Sequence, residues 1–146
     1  MKQNDNRKKR RRCTQQKKYR SSAGLLRKDD PSEKTLEAVQ EHLKPEYIQH
    51  NPVVPTLALG LGNFFNGVVS ARANARVVVH QIIAAEDHVW AHVNFLNLFN
   101  DDPDDRGVAG VDIYRFDNTD GKVIEHWDVL QPIPDPQTAA NGNGMF

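Results

Sequence analysis

The chain predicts an α+β fold, with helices laid against one face of a curved antiparallel sheet. Apolar residues recur at helical spacing in two stretches before about residue 73, then switch to a period of two from Asn74 onward. The strand-like segments are joined by short connections, which favours antiparallel neighbours. Helices that precede a meander, rather than alternate with strands, point to α+β and not to a parallel α/β sheet.

The first helix has clear start signals. Asp30 can cap it, Pro31 suits its first turn, and Glu33 completes a capping box. Leu36, Val39 and Leu43 form a narrow apolar stripe, and Pro45 is the expected stop. Tyr47–Pro55 reads as a loop stiffened by prolines, followed by a second helix over Leu57–Ala73 with Leu57, Leu61, Phe64, Phe65 and Val68 on one side. Four strands are then expected: Arg76–Ala85, His88–Phe99, Val108–Phe116 and Lys122–Gln131. Glu86-Asp87 and Asn118–Gly121 are the turns, and Asn100–Gly107 reads as a solvated acidic loop. From Pro132 the chain is too rich in Pro, Gly and Asn for regular structure.

With 146 residues there is room for one domain with one substantial core. The single cysteine, Cys13, excludes a disulfide framework within the chain, and with no apolar leader after the basic N-terminus a cytoplasmic setting is expected. No apolar run is long enough to span a bilayer, so no membrane partner is expected. A net charge of zero hides an asymmetry: residues 1–28 hold twelve Lys/Arg against one Asp, and the remainder holds seven against eighteen acids. The organisation expected is a basic, disordered arm over residues 1–27 and a domain over 28–146. An acidic domain disfavours nucleic acid, which could be engaged only through the arm, as a nuclear-localisation or binding segment; otherwise the arm is a solvated extension.

Candidate chemistry gathers on the strands. In Lys122–Gln131, alternation puts Ile124, His126, Asp128 and Leu130 on one face, and Val123, Glu125, Trp127 and Val129 on the other. An imidazole and a carboxylate flanked by aliphatics suggest a proton-handling pair in an apolar pocket, because burying them without a role is costly. His92 on the second strand and Asp112, Tyr114 and Phe116 on the third are further inward candidates, and Tyr47 and His50 lie in the loop before the second helix. Each has a plainer reading: the pair facing water on an exposed strand, His92 as an edge histidine, Asp112 paired with Arg115, and Tyr47 and His50 as packing and capping residues. Zinc motifs of the HExxH type, phosphate loops and a Cys–His nucleophile are all missing, which leaves acid–base chemistry.

Four segments, YIQHNP (Tyr47–Pro52), VDIYRF (Val111–Phe116), GKVIEHWDVLQPIP (Gly121–Pro134) and NGNGMF (Asn141–Phe146), resemble the SnoaL-like family of polyketide-cyclase-type proteins in the nuclear transport factor 2-like superfamily. The resemblance implies a cone-shaped barrel, a strongly bent antiparallel sheet wrapped around helices, with a deep pocket and usually a homodimer. It implies a general acid/base carboxylate at Asp128 with His126 beside it, and His92, Asp112, Tyr47, His50, Tyr114, Phe116 and Phe64 around the substrate. No metal or organic cofactor is implied; the expected reaction is aldol cyclisation or isomerisation of a small carbonyl compound. The alternative is a module of the same fold that binds a small molecule or a partner without catalysis. Members generally open with an amphipathic helix, whereas residues 1–24 show no apolar stripe.

Overall fold

A computed structural model describes residues 31–146, so the expectations for the basic arm, Cys13 and the Asp30 cap fall outside the described residues. Two helices and five strands follow in the order α1 (Pro31–His42), β1 (Leu43–Gln49), α2 (Ala58–Ala71), β2 (Arg76–Ala85), β3 (His88–Leu96), β4 (Val108–Phe116) and β5 (Val123–Pro132). No described helix is long and apolar enough to cross a membrane.

The first helix ends at His42, and the segment read as a helix end and loop is strand β1. Pro45 disfavours helical geometry in the residue before it, so the chain is extended by Lys44. A proline without an N–H is tolerated here because β1 is an edge strand, and the β1–β5 register shifts between Leu43 and Ile48, across the proline.

The sheet runs β1-β5-β4-β3-β2 and is open, with β1 and β2 at its edges. β2 to β5 form the expected antiparallel meander, whereas β1 pairs with β5 in parallel. Thus the sheet is mixed, because a parallel neighbour needs a long crossover that local spacing does not reveal. The helices pack on each other and on β1. Val39 of α1, Ala58 and Leu61 of α2 and Val89, Ala91 and Val93 of β3 share one core cluster. The inner face of β3 is wholly apolar: Val89, Ala91 and Val93 are each 0% exposed.

Two details tie the loops down. The acidic loop is more than solvated side chains: Asp105 accepts from the Asn97 backbone N–H at 2.6 Å and from Asn100 Nδ2 at 3.0 Å, while Asn97 Nδ2 donates to the Asp102 carbonyl at 2.6 Å. At the start of α2, Leu57 donates its N–H to the Tyr47 carbonyl at 2.9 Å but sits at φ 69, ψ 147. That region suits glycine almost alone, and the Leu57 side chain is half exposed. Leu57→Gly should therefore raise stability by about 1 kcal/mol, because relief of ~1–3 kcal/mol of strain exceeds the ~0.5–1 kcal/mol entropic cost of glycine. A lower urea midpoint for the variant would contradict this account.

Candidate active site

The inner sheet face and α2 enclose a cavity of about 120 Å³. Its walls are aromatic and aliphatic, including Phe64, Phe65, Phe95, Tyr114 and Phe116, and its polar groups are Tyr47, Gln49, Asn51, Asp112, His126 and Asp128. Sheet register brings these polar groups together. Asp112 lies opposite Asp128, Tyr114 lies opposite His126 across the β4–β5 ladder, and Gln49 of β1 aligns with His126 from the other side. Side chains two apart on a strand share a face, so three adjacent strands present one polar cluster.

Its members are tightly tied. His126 Nε2 lies 3.3 Å from Asp112 Oδ1 and His126 Nδ1 lies 3.1 Å from Gln49 Oε1, while the Tyr114 ring stacks on the imidazole at 4.4 Å. Asn51 Nδ2 donates to both Asp128 oxygens, at 2.9 and 2.8 Å. Gln49 Nε2 donates to the Tyr47 hydroxyl at 3.0 Å. Asp112 and His126 are 2% and 7% exposed, so this is a dry cluster. Burial first, and then the charges of Asp112 and Asp128, push the Tyr47 phenol well above the ordinary tyrosine range, so it keeps its proton.

Asp112, His126 and Asp128 can each offer one ligand atom within 4.8 Å of the others, which makes them the described residues able to approach a metal ion together. Their hydrogen bonds argue for another use. Both Asp128 oxygens already accept from Asn51, and His126 faces Asp112 through one nitrogen and Gln49 through the other. Both ring nitrogens of His126 are thus engaged, and Asn51 holds Asp128 in place.

Two of the residues expected at the cavity lie elsewhere. His92 is on the opposite sheet face, 4.9 Å from the Phe146 ring, because its neighbours Ala91 and Val93 take the inward positions of β3. His50 is also outside, stacked on Trp127 at 4.7 Å and 2.8 Å from Glu125 Oε1, since Tyr47 and Gln49 occupy the inward phase of β1. Tyr47, Phe64, Asp112, Tyr114, Phe116, His126 and Asp128 do line the cavity. Gln49 and Asn51 line the cavity as well, beyond the residues that the sequence pattern points to. Reading YIQHN as a strand would have placed Gln49 on the face of Tyr47, and the turn-forming Asn51 concealed a residue that reaches back into the site.

Residues 31–126, well over half the chain, match the SnoaL-like domain family. No curated protein sequence matches the chain. Among solved structures, the fold is similar to a candidate isomerase of the SnoaL-like family from Agrobacterium tumefaciens, at 14% identity over 82% of this chain and 97% of that one, with a TM-score of 0.62. It is also similar to a steroid delta-isomerase from Pseudomonas aeruginosa (15% identity, 83% and 80% of the two chains, TM-score 0.56). A candidate polyketide cyclase from Bacillus cereus is a third (17% identity, 65% and 62%, TM-score 0.53). At these identities the likeness is one of fold. The matched residues, the α+β architecture and the helix-backed open sheet make this chain a member of the SnoaL-like family, with a nuclear transport factor 2-like fold.

Proposed function

We propose that the protein is an acid–base enzyme acting, without metal or organic cofactor, on a small uncharged carbonyl compound by aldol cyclisation or isomerisation. The observation that carries this is the state in which Asp128 is held. The Val53 backbone N–H donates to Asn51 Oδ1 at 3.0 Å, which fixes the amide so that only its NH₂ group can face Asp128. Asp128 is thereby presented as an acceptor, at the cavity wall, beside a buried Asp112–His126 pair.

The chemistry follows in balanced steps. Asp128 takes a proton from the carbon next to a carbonyl, and the C–H electron pair moves into an enolate. Its oxygen, bearing the new charge, is stabilised by a hydrogen bond from the Tyr47 hydroxyl. In isomerisation Asp128 returns the proton to a different carbon; in cyclisation the enolate carbon attacks a second carbonyl, whose oxygen then takes that proton. Among the described residues neither Lys nor Arg lines the cavity, which favours an uncharged substrate over a carboxylate or phosphate. The test is to incubate the protein with a panel of uncharged ketones in heavy water and follow deuterium uptake by mass spectrometry. Ligands that bind without exchange above the buffer rate would replace the enzyme with a non-catalytic binding module.

We also propose that the outer sheet face joins two copies of the chain. Val129 and Ile83 are 73% and 63% exposed there, in the company of Val78 and Val111. Val111 and Val129 are direct neighbours across the β4–β5 ladder, and exposed apolar surface of this kind marks an interaction site. The nearby charges are already paired, Glu125 with Arg115 and His50. Light scattering should report a dimer for the wild type and a monomer for Val129→Lys; a monomeric wild type at high concentration rejects the interface.

A further inference from the structure

We infer that Gln49 is a positioning residue that fixes the proton of His126 on Nδ1 and turns the Tyr47 hydroxyl proton toward the cavity. The catalytic meaning of this rests on the acid–base reading above, but the proton placement does not. It follows from one backbone contact. The Asn51 main-chain N–H lies 2.9 Å from Gln49 Oε1. A backbone N–H can only donate, so the atom it faces must be the amide oxygen. That same oxygen lies 3.1 Å from His126 Nδ1. An oxygen facing an unprotonated nitrogen would set two lone pairs against each other, and so Nδ1 carries a hydrogen.

Two consequences follow. With Nδ1 protonated, the other ring nitrogen meets Asp112 Oδ1 at 3.3 Å inside a dry cluster, and a single proton is shared between imidazole and carboxyl. His126 and Asp112 therefore act as one proton-bearing unit, separate from Asp128, whose oxygens Asn51 occupies. On the other end of the amide, Gln49 Nε2 donates to the Tyr47 oxygen at 3.0 Å. The phenol oxygen is satisfied as an acceptor, and its hydrogen is left to be donated to a group in the cavity. Gln49 thus orients the hydrogen-bond donor, Tyr47, that a developing enolate oxygen would meet, and sets the proton of the His126–Asp112 unit beside it. One side chain, from a strand paired in parallel, sets both.

The test is nitrogen-15 NMR of the histidine rings in the full chain, with His126 assigned by loss of its signals in His126→Gln. The wild type should show a proton on Nδ1 of His126. Gln49→Leu should lose it, the ring reverting to its solution preference for Nε2–H, and Gln49→Glu, which keeps an acceptor at that position, should retain it. A bare Nδ1 in the wild type overturns the inference, as does an Nδ1 proton that survives unchanged in Gln49→Leu. If Gln49→Leu does not fold, loss of the Nδ1 proton in Gln49→Glu overturns it equally. None of these readouts depends on turnover, so a protein with the expected spectra and no deuterium exchange would refute the enzyme reading and leave the proton placement standing.

Discussion

Asp128→Asn should abolish measurable deuterium exchange or turnover, a loss of roughly 10²–10⁴-fold for removal of a general base, while the fold persists. The substitution keeps the volume of the side chain and one of the two oxygens that accept from Asn51 Nδ2. The other oxygen becomes an NH₂ group facing a donor. That mismatch costs about 1–3 kcal/mol at most, less than typical domain stability. Circular dichroism and the urea midpoint would show a folded variant. Full activity in Asp128→Asn on any substrate the wild type accepts would remove Asp128 from the mechanism. Because the acidic proton of a ketone is removed before any carbon–carbon bond forms, exchange and turnover should fall together. A variant that kept exchange but lost cyclisation would place the base elsewhere in the cluster.

Tyr47→Phe should lower turnover by about 10²–10³-fold, the scale of one lost donor to a developing oxyanion. It should also alter stability in a pH-dependent way. Tyr47 is 1% exposed and its oxygen accepts from Gln49 Nε2, so removing that oxygen leaves a buried donor without its partner. The cost near neutral pH is ~1–3 kcal/mol. In the alkaline range this difference shrinks. The folded phenol titrates well above the ordinary value, through burial and then the charges of Asp112 and Asp128. The unfolded chain releases this proton near pH ~10 while the folded protein keeps it. Stability conferred by the protonated phenol is complete below that pH and is lost as pH rises beyond it. Wild-type urea midpoints should thus fall more steeply above pH ~10 than those of Tyr47→Phe. Parallel curves for the two proteins would show that Tyr47 is not held in this way.

Much of this architecture is legible in local sequence. The period-two pattern places β2 at Arg76–Ala85 and β4 at Val108–Phe116, and the turn at Glu86-Asp87 is where β2 meets β3. The spacing of His126 and Asp128 within EHWD put them on one face, and that face lines the cavity. Alternation is a property of neighbouring residues, so such statements need no tertiary knowledge. The resemblance of YIQHNP and EHWD to SnoaL-like proteins agrees with the family match over residues 31–126.

What local pattern does not carry is which face of a strand turns inward, and what arrives from far along the chain. In β3 both faces hold side chains that could be buried, and it is Val89, Ala91 and Val93 that join the core shared with Val39, Ala58 and Leu61, which leaves His92 on the outer face. The parallel pairing of β1 with β5 brings Gln49 and Asn51 beside residues 77 positions later, His126 and Asp128. By itself the sequence determined the helices-then-sheet order, the strands and the parity of the His126–Asp128 pair, because periodicity is written residue by residue. The tertiary structure alone decided the inward face, the parallel edge and the amide groups that orient the acids, because these follow from long-range contacts whose free energy no short segment contains.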